Sequence, residues 1–341
     1  MPLRSYTVAI AGLGKRGKVH AELFHRSTRF EVVGLSDIDR ERTAAAAELC
    51  GSPPLSDDAG TMLAASKPDV FCFCTPPAVR LPLVRLGVES GVKLIAYEKP
   101  MATSMTEAIE IRDLLRSSGV KSVQSHQRKY NVQFRKVKEI ISSGALGRVH
   151  TVYGHATGWM MHMATHLADY IRFFNNEAEA EWIIGQAHGR EKLADNHPSP
   201  DYLCGFVQFA NGVRGILEMG SLAPDVPEVD YWWRKARIGA QGTEGFAECF
   251  VGGGWRAVMA SRGYEHSDEG TWDAENEQVP YIEDIALWLD GTKVHPCDGE
   301  GGYKDVEIMC GLMRSATQRR QITFPLGPGE PELEALARVL P

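Results

Sequence analysis

Three short stretches of this 341-residue chain carry side chains and backbone suited to chemistry. The first is Gly12-Leu13-Gly14-Lys15-Arg16-Gly17, directly behind the apolar run 6–11, with Asp37 twenty residues after Gly17. Glycine at 12 permits a tight turn, glycine at 14 lets backbone approach a pyrophosphate, and glycine at 17 lets a helix pack closely on a strand. The free N–H groups and positive end of that helix hold a diphosphate. Asp37, ending the next strand, can accept hydrogen bonds from ribose hydroxyls. The second stretch is Glu98-Lys99-Pro100, just past the apolar run 93–97. In an open α/β sheet ligands sit beyond the carboxyl ends of the strands. A lysine there can lie beside a nicotinamide, hydrogen-bond a substrate hydroxyl or carbonyl, and help move a proton; the plainer reading is a surface lysine before a proline-capped helix. The third is His162-Met163-Ala164-Thr165-His166, followed by Asp169. On a helix over 160–174 the two histidines lie one turn apart on one face. They can be an acid–base pair, since imidazole titrates near neutrality. They can be two zinc ligands, with a third such as His155 or Glu218. They can also be polar helix residues satisfied within a core.

The elements that must position these groups follow from the apolar pattern. Through residue 125, strand-like runs at 7–11, 31–36, 70–75, 92–97 and 120–125 alternate with helical stretches at 15–27, 40–50, 57–65, 79–90 and 105–118. Such alternation makes parallel strands joined by crossover helices, a doubly wound Rossmann-type sheet. After residue 125 the style changes. One helix at 132–143 precedes longer strand candidates at 149–158, 182–188, 203–209, 213–219 and 236–240, with Asn211-Gly212 as a strong hairpin signal. The expectation is therefore an α/β chain of two domains. Residues 1–125 bind a dinucleotide, and 126–341 form an α+β substrate and oligomerisation domain with a large, mostly antiparallel open sheet.

Composition narrows the function classes. With 37 basic and 44 acidic side chains the formal charge is −7, and no basic tract is present, which argues against nucleic acid and anionic membranes as partners. No stretch approaches the roughly 20 apolar residues of a membrane span. The N-terminus lacks a signal-peptide pattern, since its first apolar run is already a strand. Seven cysteines include no C-x-x-C, and Cys72 and Cys74 read as small core residues. A cytoplasmic enzyme with reduced thiols is expected.

The ordered set of motifs resembles the Gfo/Idh/MocA oxidoreductases, typified by glucose–fructose oxidoreductase and inositol dehydrogenase. It comprises the glycine loop with Asp37, Thr75-Pro76-Pro77, Glu98-Lys99-Pro100, Gln127-Arg128, the segment 143–149, the His166/Asp169 helix, the segment 209–213 and the glycine-rich turn 239–245. The resemblance implies NAD or NADP, a sugar, cyclitol or derivative as substrate, and a homo-dimer or homo-tetramer formed through the C-terminal sheet. By position it makes Lys99 the active-site lysine and His166 the residue that takes the hydroxyl proton, with His162 in the place of a customary aspartate and Arg80 where many members carry histidine. It adds Gly12, Gly14, Lys15, Arg16, Gly17, Asp37, Thr75, Pro76, Glu98 and Lys99 as cofactor contacts. Arg128, Trp159, Asp169 and Trp233 are the substrate candidates. Asp37 repels a 2′-phosphate and favours NAD, while Arg16, Arg40 and Arg42 could partly accommodate NADP. A zinc ion on His162 and His166 is the metal alternative to a metal-free pair. The leading expectation is a dehydrogenase or reductase. The second is redox-neutral chemistry (lyase, epimerase or glycoside cleavage through a transient keto-sugar), and the third a non-catalytic nucleotide sensor.

Overall fold

A computed structural model describes residues 5–158, 160–195, 197–231, 234–270 and 274–340, and the side chains at 162, 274 and 275 fall outside that description. The chain divides into two compact units: Met1–Ala102, Glu107–Gln127 and Ala274–Gly302 in the first, and Thr103–Thr106, Arg128–Asp273 and Tyr303–Pro341 in the second.

The first unit is built on a six-stranded parallel sheet. In chain order its elements are β1 (Tyr6–Ala11), α1 (Lys15–Arg26), β2 (Phe30–Ser36), α2 (Arg40–Ala47), β3 (Leu55–Ser56), α3 (Ala59–Ser66), β4 (Val70–Phe73), α4 (Arg80–Glu89), β5 (Leu94–Tyr97), α5 (Met105–Ser118) and β6 (Lys121–Gln124). The strand order β3-β2-β1-β4-β5-β6 is that of a dinucleotide-binding sheet, with its switch point between β1 and β4. Strands β4 and β5 are buried along their whole length, as a sheet covered on both faces requires. Helix starts differ in a telling way. Asp39 caps α2 by accepting from Glu41 and Arg42 N–H, and Asp58 caps α3 by accepting from Thr61 N–H. Helix α1 begins at Gly14 with no side-chain cap and no acid in its first turn, so its N–H groups are left for something else.

The second unit holds α6 (Val132–Ser142), β7 (Val149–Ala156), α7 (Met160–Phe174), β8 (Ala180–His188), β9 (Tyr202–Phe209), β10 (Arg214–Met219), β11 (Ala236–Gly242), β12 (Gly245–Phe250), β13 (Trp255–Met259) and β14 (Gly263–Ser267). After β14 the chain enters α8 (Ala274–Leu289), which groups with the first unit; α9 (Gly299–Gln318), β15 (Ile322–Thr323) and α10 (Glu332–Val339) follow. A single boundary near residue 125 therefore leaves out α8. That helix joins the first unit through hydrogen bonds between residues far apart in sequence: Gln278 contacts His20, and Asp290, just past the helix, accepts from Tyr6 and Arg29.

The second unit's sheet runs β14-β13-β12-β11-β7-β10-β9-β8-β15, antiparallel throughout except for the β7–β10 pair. The β9–β10 hairpin turns at Asn211-Gly212, where Gly212 has φ +81 and Asn211 Oδ1 accepts from Val213 N–H. One face is covered. A Cβ at Gly154 would lie 3.3 Å from Leu167 of α7, and one at Gly205 would lie 2.3 Å from Leu312 of α9. Strand residues alternate between faces, so Val207 and Phe209 are buried under the helices while Phe206 is 53% exposed on the other side.

Candidate active site

The glycine loop has the geometry its residues require. Gly12 has φ +78, and a Cβ there would stand 2.8 Å from the Cys74 carbonyl oxygen. At Gly17 a Cβ would fall 1.9 Å from the Gly12 carbonyl oxygen, so the helix can approach this closely only without a side chain. Gly14 faces open space, with nothing within 4 Å of a Cβ position. Open space at the middle glycine beside an uncapped helix N-terminus is what a diphosphate needs. Thr75 Oγ1, beside this loop, is buried with no hydrogen-bond partner, a second sign of a missing polar ligand. The residues present therefore fit a dinucleotide.

Asp37 has a double task. Its Oδ2 accepts from Leu13 N–H at 2.6 Å and its Oδ1 from Asp39 N–H at 2.9 Å, so it fixes the glycine loop. An ionised carboxylate offers about four lone-pair sites, which leaves capacity for ribose hydroxyls. Arg16, Arg40 and Arg42 each have a carboxylate neighbour. Arg16 donates to Glu98 at 3.0 Å and to Gln278 at 2.8 Å; Arg40 pairs with Asp57, and Arg42 with Asp39. Lys15 is exposed, as is Pro76.

Glu98-Lys99-Pro100 follows β5, the neighbour of β4. Glu98 is a hub, lying 3.0 Å from Arg16 Nε and 3.3 Å from His20 Nε2. Burial alone would raise its pKa, but Arg16, His20 and Lys99 overcome that and hold the carboxyl well below its usual range. Lys99 is half-buried. Burial pushes its ammonium down, Arg80 and Arg16 push it further, Glu98 opposes them, and the result is about 8. A lysine poised there can change protonation state in the pH range where enzymes work.

Arg80 organises this loop and carries more of the site than its place in the sequence suggests. It is 1% exposed, and its guanidinium donates to the carbonyl oxygens of Thr75 at 2.9 Å, Pro100 at 3.1 Å and Lys99 at 3.3 Å. It thus ties the loop after β4 to the loop after β5. His20 and Gln278 escape a reading of spacing for the same reason: both act through tertiary contacts around Glu98. Their only signal in the sequence is polarity on the buried side of an amphipathic helix.

In the second unit, α7 runs over Met160–Phe174, with Met160, Leu167 and Ile171 wholly buried. His166 is half-buried and stacks on Tyr170, whose hydroxyl lies 3.2 Å from His166 Nδ1. Asp169 is 1% exposed and pairs with buried Lys129 at 2.8 Å, so it anchors the helix from beneath. Next to it Arg172 pairs with Asp305 at 2.8 Å and with Glu177 at 3.0 Å. Arg128 is buried in a short turn over Gln127–Tyr130. The side chain of His162 and all of Trp159 and Trp233 lie outside the described residues. The suggested third zinc ligands do not suit His166. Gly154 meets α7, so His155 points to the opposite face of the sheet, and Glu218 is its register partner there.

The sheet order thus brings together the glycine loop, Thr75 and the Glu98-Lys99-Pro100 loop at the carboxyl ends of β1, β4 and β5. Comparison with known proteins bears on the fold that carries these loops. Residues 6–126 match the model of an oxidoreductase family with an NAD-binding Rossmann fold, Gfo/Idh/MocA. The chain is 30% identical over 156 residues to D-glucoside 3-dehydrogenase of Escherichia coli (strain K12), which covers 46% of this chain and 43% of that protein. It is 28% identical over 202 residues to inositol 2-dehydrogenase of Rubrobacter xylanophilus, covering 55% and 58%. The chain therefore spans about half the length of these curated relatives. A solved levoglucosan dehydrogenase in complex with NADH and levoglucosan shares the fold, with TM-score 0.78, 17% identity, and coverage of 95% of this chain and 100% of that one.

Proposed function

We propose, on the premise that its dinucleotide-binding domain belongs to the Gfo/Idh/MocA oxidoreductase family, that this chain is an NAD-dependent dehydrogenase of a sugar, cyclitol or related carbinol. The observation that carries the reading is the convergence of an open glycine loop, a partnerless buried Thr75 hydroxyl and a lysine with pKa about 8 at adjacent strand ends. Bound NAD supplies the hydride acceptor. The chain supplies the rest: Asp37 and the uncapped start of α1 hold the nucleotide, Lys99 hydrogen-bonds the reacting oxygen, and His166 exchanges its proton. NAD is favoured over NADP because Asp37 stands at the ribose position, where its carboxylate repels a 2′-phosphate, and Arg16 is held by Glu98 and Gln278. The substrate class is supported by relatives named as glucoside and inositol dehydrogenases. The proposed assembly is a homo-oligomer through the second unit's open sheet face. Among the described residues no helix is long and apolar enough to cross a membrane, and all seven cysteines are free, which supports the cytoplasm as the proposed compartment.

The test is a sugar and cyclitol panel followed at the reduced-nicotinamide absorbance, with bound nucleotide and metal measured first. Net reduction of NAD by one class of polyol is the expected result. Product without net absorbance change transfers the assignment to redox-neutral chemistry. Nucleotide binding with no product from any member overturns the enzymatic reading in favour of a sensor.

A further inference from the structure

We propose that His20, Cys72 and Cys74 form a binding site for a soft divalent cation, zinc foremost, behind the glycine loop of the first unit. The fold brings the three donors together. Cys72 is on β4, and Cys74 continues that strand's extended backbone, its N–H bonding the Ala11 carbonyl at 2.9 Å. Residues two apart on a strand point the same way. Helix α1 covers that side: a Cβ at Gly17 would lie 3.6 Å from the Cys74 Cβ, and His20 sits one turn further along with 2% exposure.

One ligand atom from each of the three lies within 4.8 Å of the others. In a tetrahedral zinc site, bonds of about 2.0–2.3 Å place ligand atoms about 3.3–3.8 Å apart, so only a slight contraction is needed. Glu98 Oε1, 3.3 Å from His20 Nε2, lies outside the 4.8 Å group of donors and serves as an outer partner of the ring, which leaves the fourth position to water. Charge balances as well. The dication and two thiolates cancel, and the remaining Glu98 charge is met by Arg16 at 3.0 Å, so a loaded site adds no unpaired charge to a buried region. Gln278 Nε2 contacts the His20 ring and steadies its orientation.

Loading is proton-coupled: two S–H bonds break, two metal–sulfur bonds form, and two protons leave to solvent. Because the Cys74 carbonyl lies against Gly12, a cation held here braces the same loop that takes the diphosphate.

The experiment uses reduced, chelator-stripped full-length protein titrated with Co2+ alone and then Zn2+ alone. Expected are one equivalent bound, thiolate-to-cobalt charge-transfer absorption that zinc abolishes, and a loss of affinity of about tenfold or more in Cys72→Ser and in Cys74→Ser. A second readout needs no variant: in mild denaturant, where the buried thiols of the metal-free protein open to reagent, zinc should protect Cys72 and Cys74, but not Cys204, from alkylation mapped by peptide mass. Cobalt binding without thiolate bands, binding that survives the double serine variant, or equal alkylation with and without zinc overturns the proposal. Any of these leaves the three side chains as core packing. The polyol panel reads the dehydrogenase assignment separately, so either can fail while the other stands.

Discussion

Lys99 concentrates the chemistry and the cost of the proposed site in one side chain. Its ordinary pKa of 10.5 falls to about 8, chiefly through burial. Below pH 8 the folded chain therefore carries a poorly solvated ammonium. As pH rises from 8 toward 10.5 the folded form sheds that proton before the unfolded form does, and the cost disappears. Lys99→Met should accordingly raise the melting temperature at pH 7 by about 2–4 °C, with the gain shrinking toward pH 10.5. The same substitution should lower turnover by about 10² or more with NAD still bound. If Lys99 acts as the ammonium donor to the substrate oxygen, kcat/KM of the unmodified protein declines above pH 8, and Lys99→Arg moves that decline out of range. Normal turnover in Lys99→Met, or a profile unchanged in Lys99→Arg, removes Lys99 from the reaction. His166 is tested separately. His166→Ala should abolish turnover while preserving nucleotide binding, whereas His162→Asp, which restores the customary aspartate, should retain most of it. Stoichiometric metal lost from both variants would identify the pair as ligands instead.

Between residue and fold, Arg80 is the part that the resemblance presents only as a departure from the family pattern. The three carbonyls it holds belong to two loops, after β4 and after β5, and α4 begins at Arg80 itself. Arg80→Met leaves those carbonyls without their charged donor, which should cost about 2–4 kcal/mol. It also removes a positive charge that lowers Lys99, so the alkaline limb of the pH profile should move upward. Denaturant midpoints and the profile separate two roles: a stability loss with an unmoved limb makes Arg80 a brace only. The other elements show why some of the fold is legible in the sequence and some is not. Strands buried on both faces leave apolar runs, and Asn211-Gly212 marks its own turn, so the parallel sheet and the β9–β10 hairpin can be read directly. Helix α7 matches its expected span of 160–174 because its methionines, leucine and aromatics recur at helical spacing. Helix α9 escapes such a reading because Gly299, Gly301, Gly302 and Gly311 lower its intrinsic propensity. A Cβ at Gly311 would lie 2.9 Å from Phe324, so close packing selects the glycine that local propensity disfavours. Strands β13 and β14, near the sheet edge with exposed polar positions, lack the alternation that marks the others.

At the scale of the whole molecule, the second unit's sheet leaves an apolar row on its uncovered face. Ile184 and Phe206 stand opposite each other in the β8–β9 register, and Ile216 of β10 continues the row to Tyr153 of β7. Ile184 is 45% and Phe206 53% exposed, while Ile216 and Tyr153 are half-buried. Apolar area left in water forfeits about 25 cal/mol per Å2, and an aromatic at the centre of such a row is the usual anchor of a protein interface. A flat sheet face is also self-complementary under a two-fold rotation, since the row of one copy can lie across the same row of another. Light scattering should therefore give a mass that is a multiple of the 37.6 kDa chain. Phe206→Asp should reduce it toward that of a single chain without unfolding it, because Phe206 already meets solvent on the side away from the helices. Ile184→Lys should act in the same direction. The polar substitution Gln208→Glu, next on the same face but outside the row, should leave the mass unchanged. A single-chain mass for the unmodified protein, or an oligomer indifferent to both apolar-row variants, would place the assembly surface elsewhere or remove it.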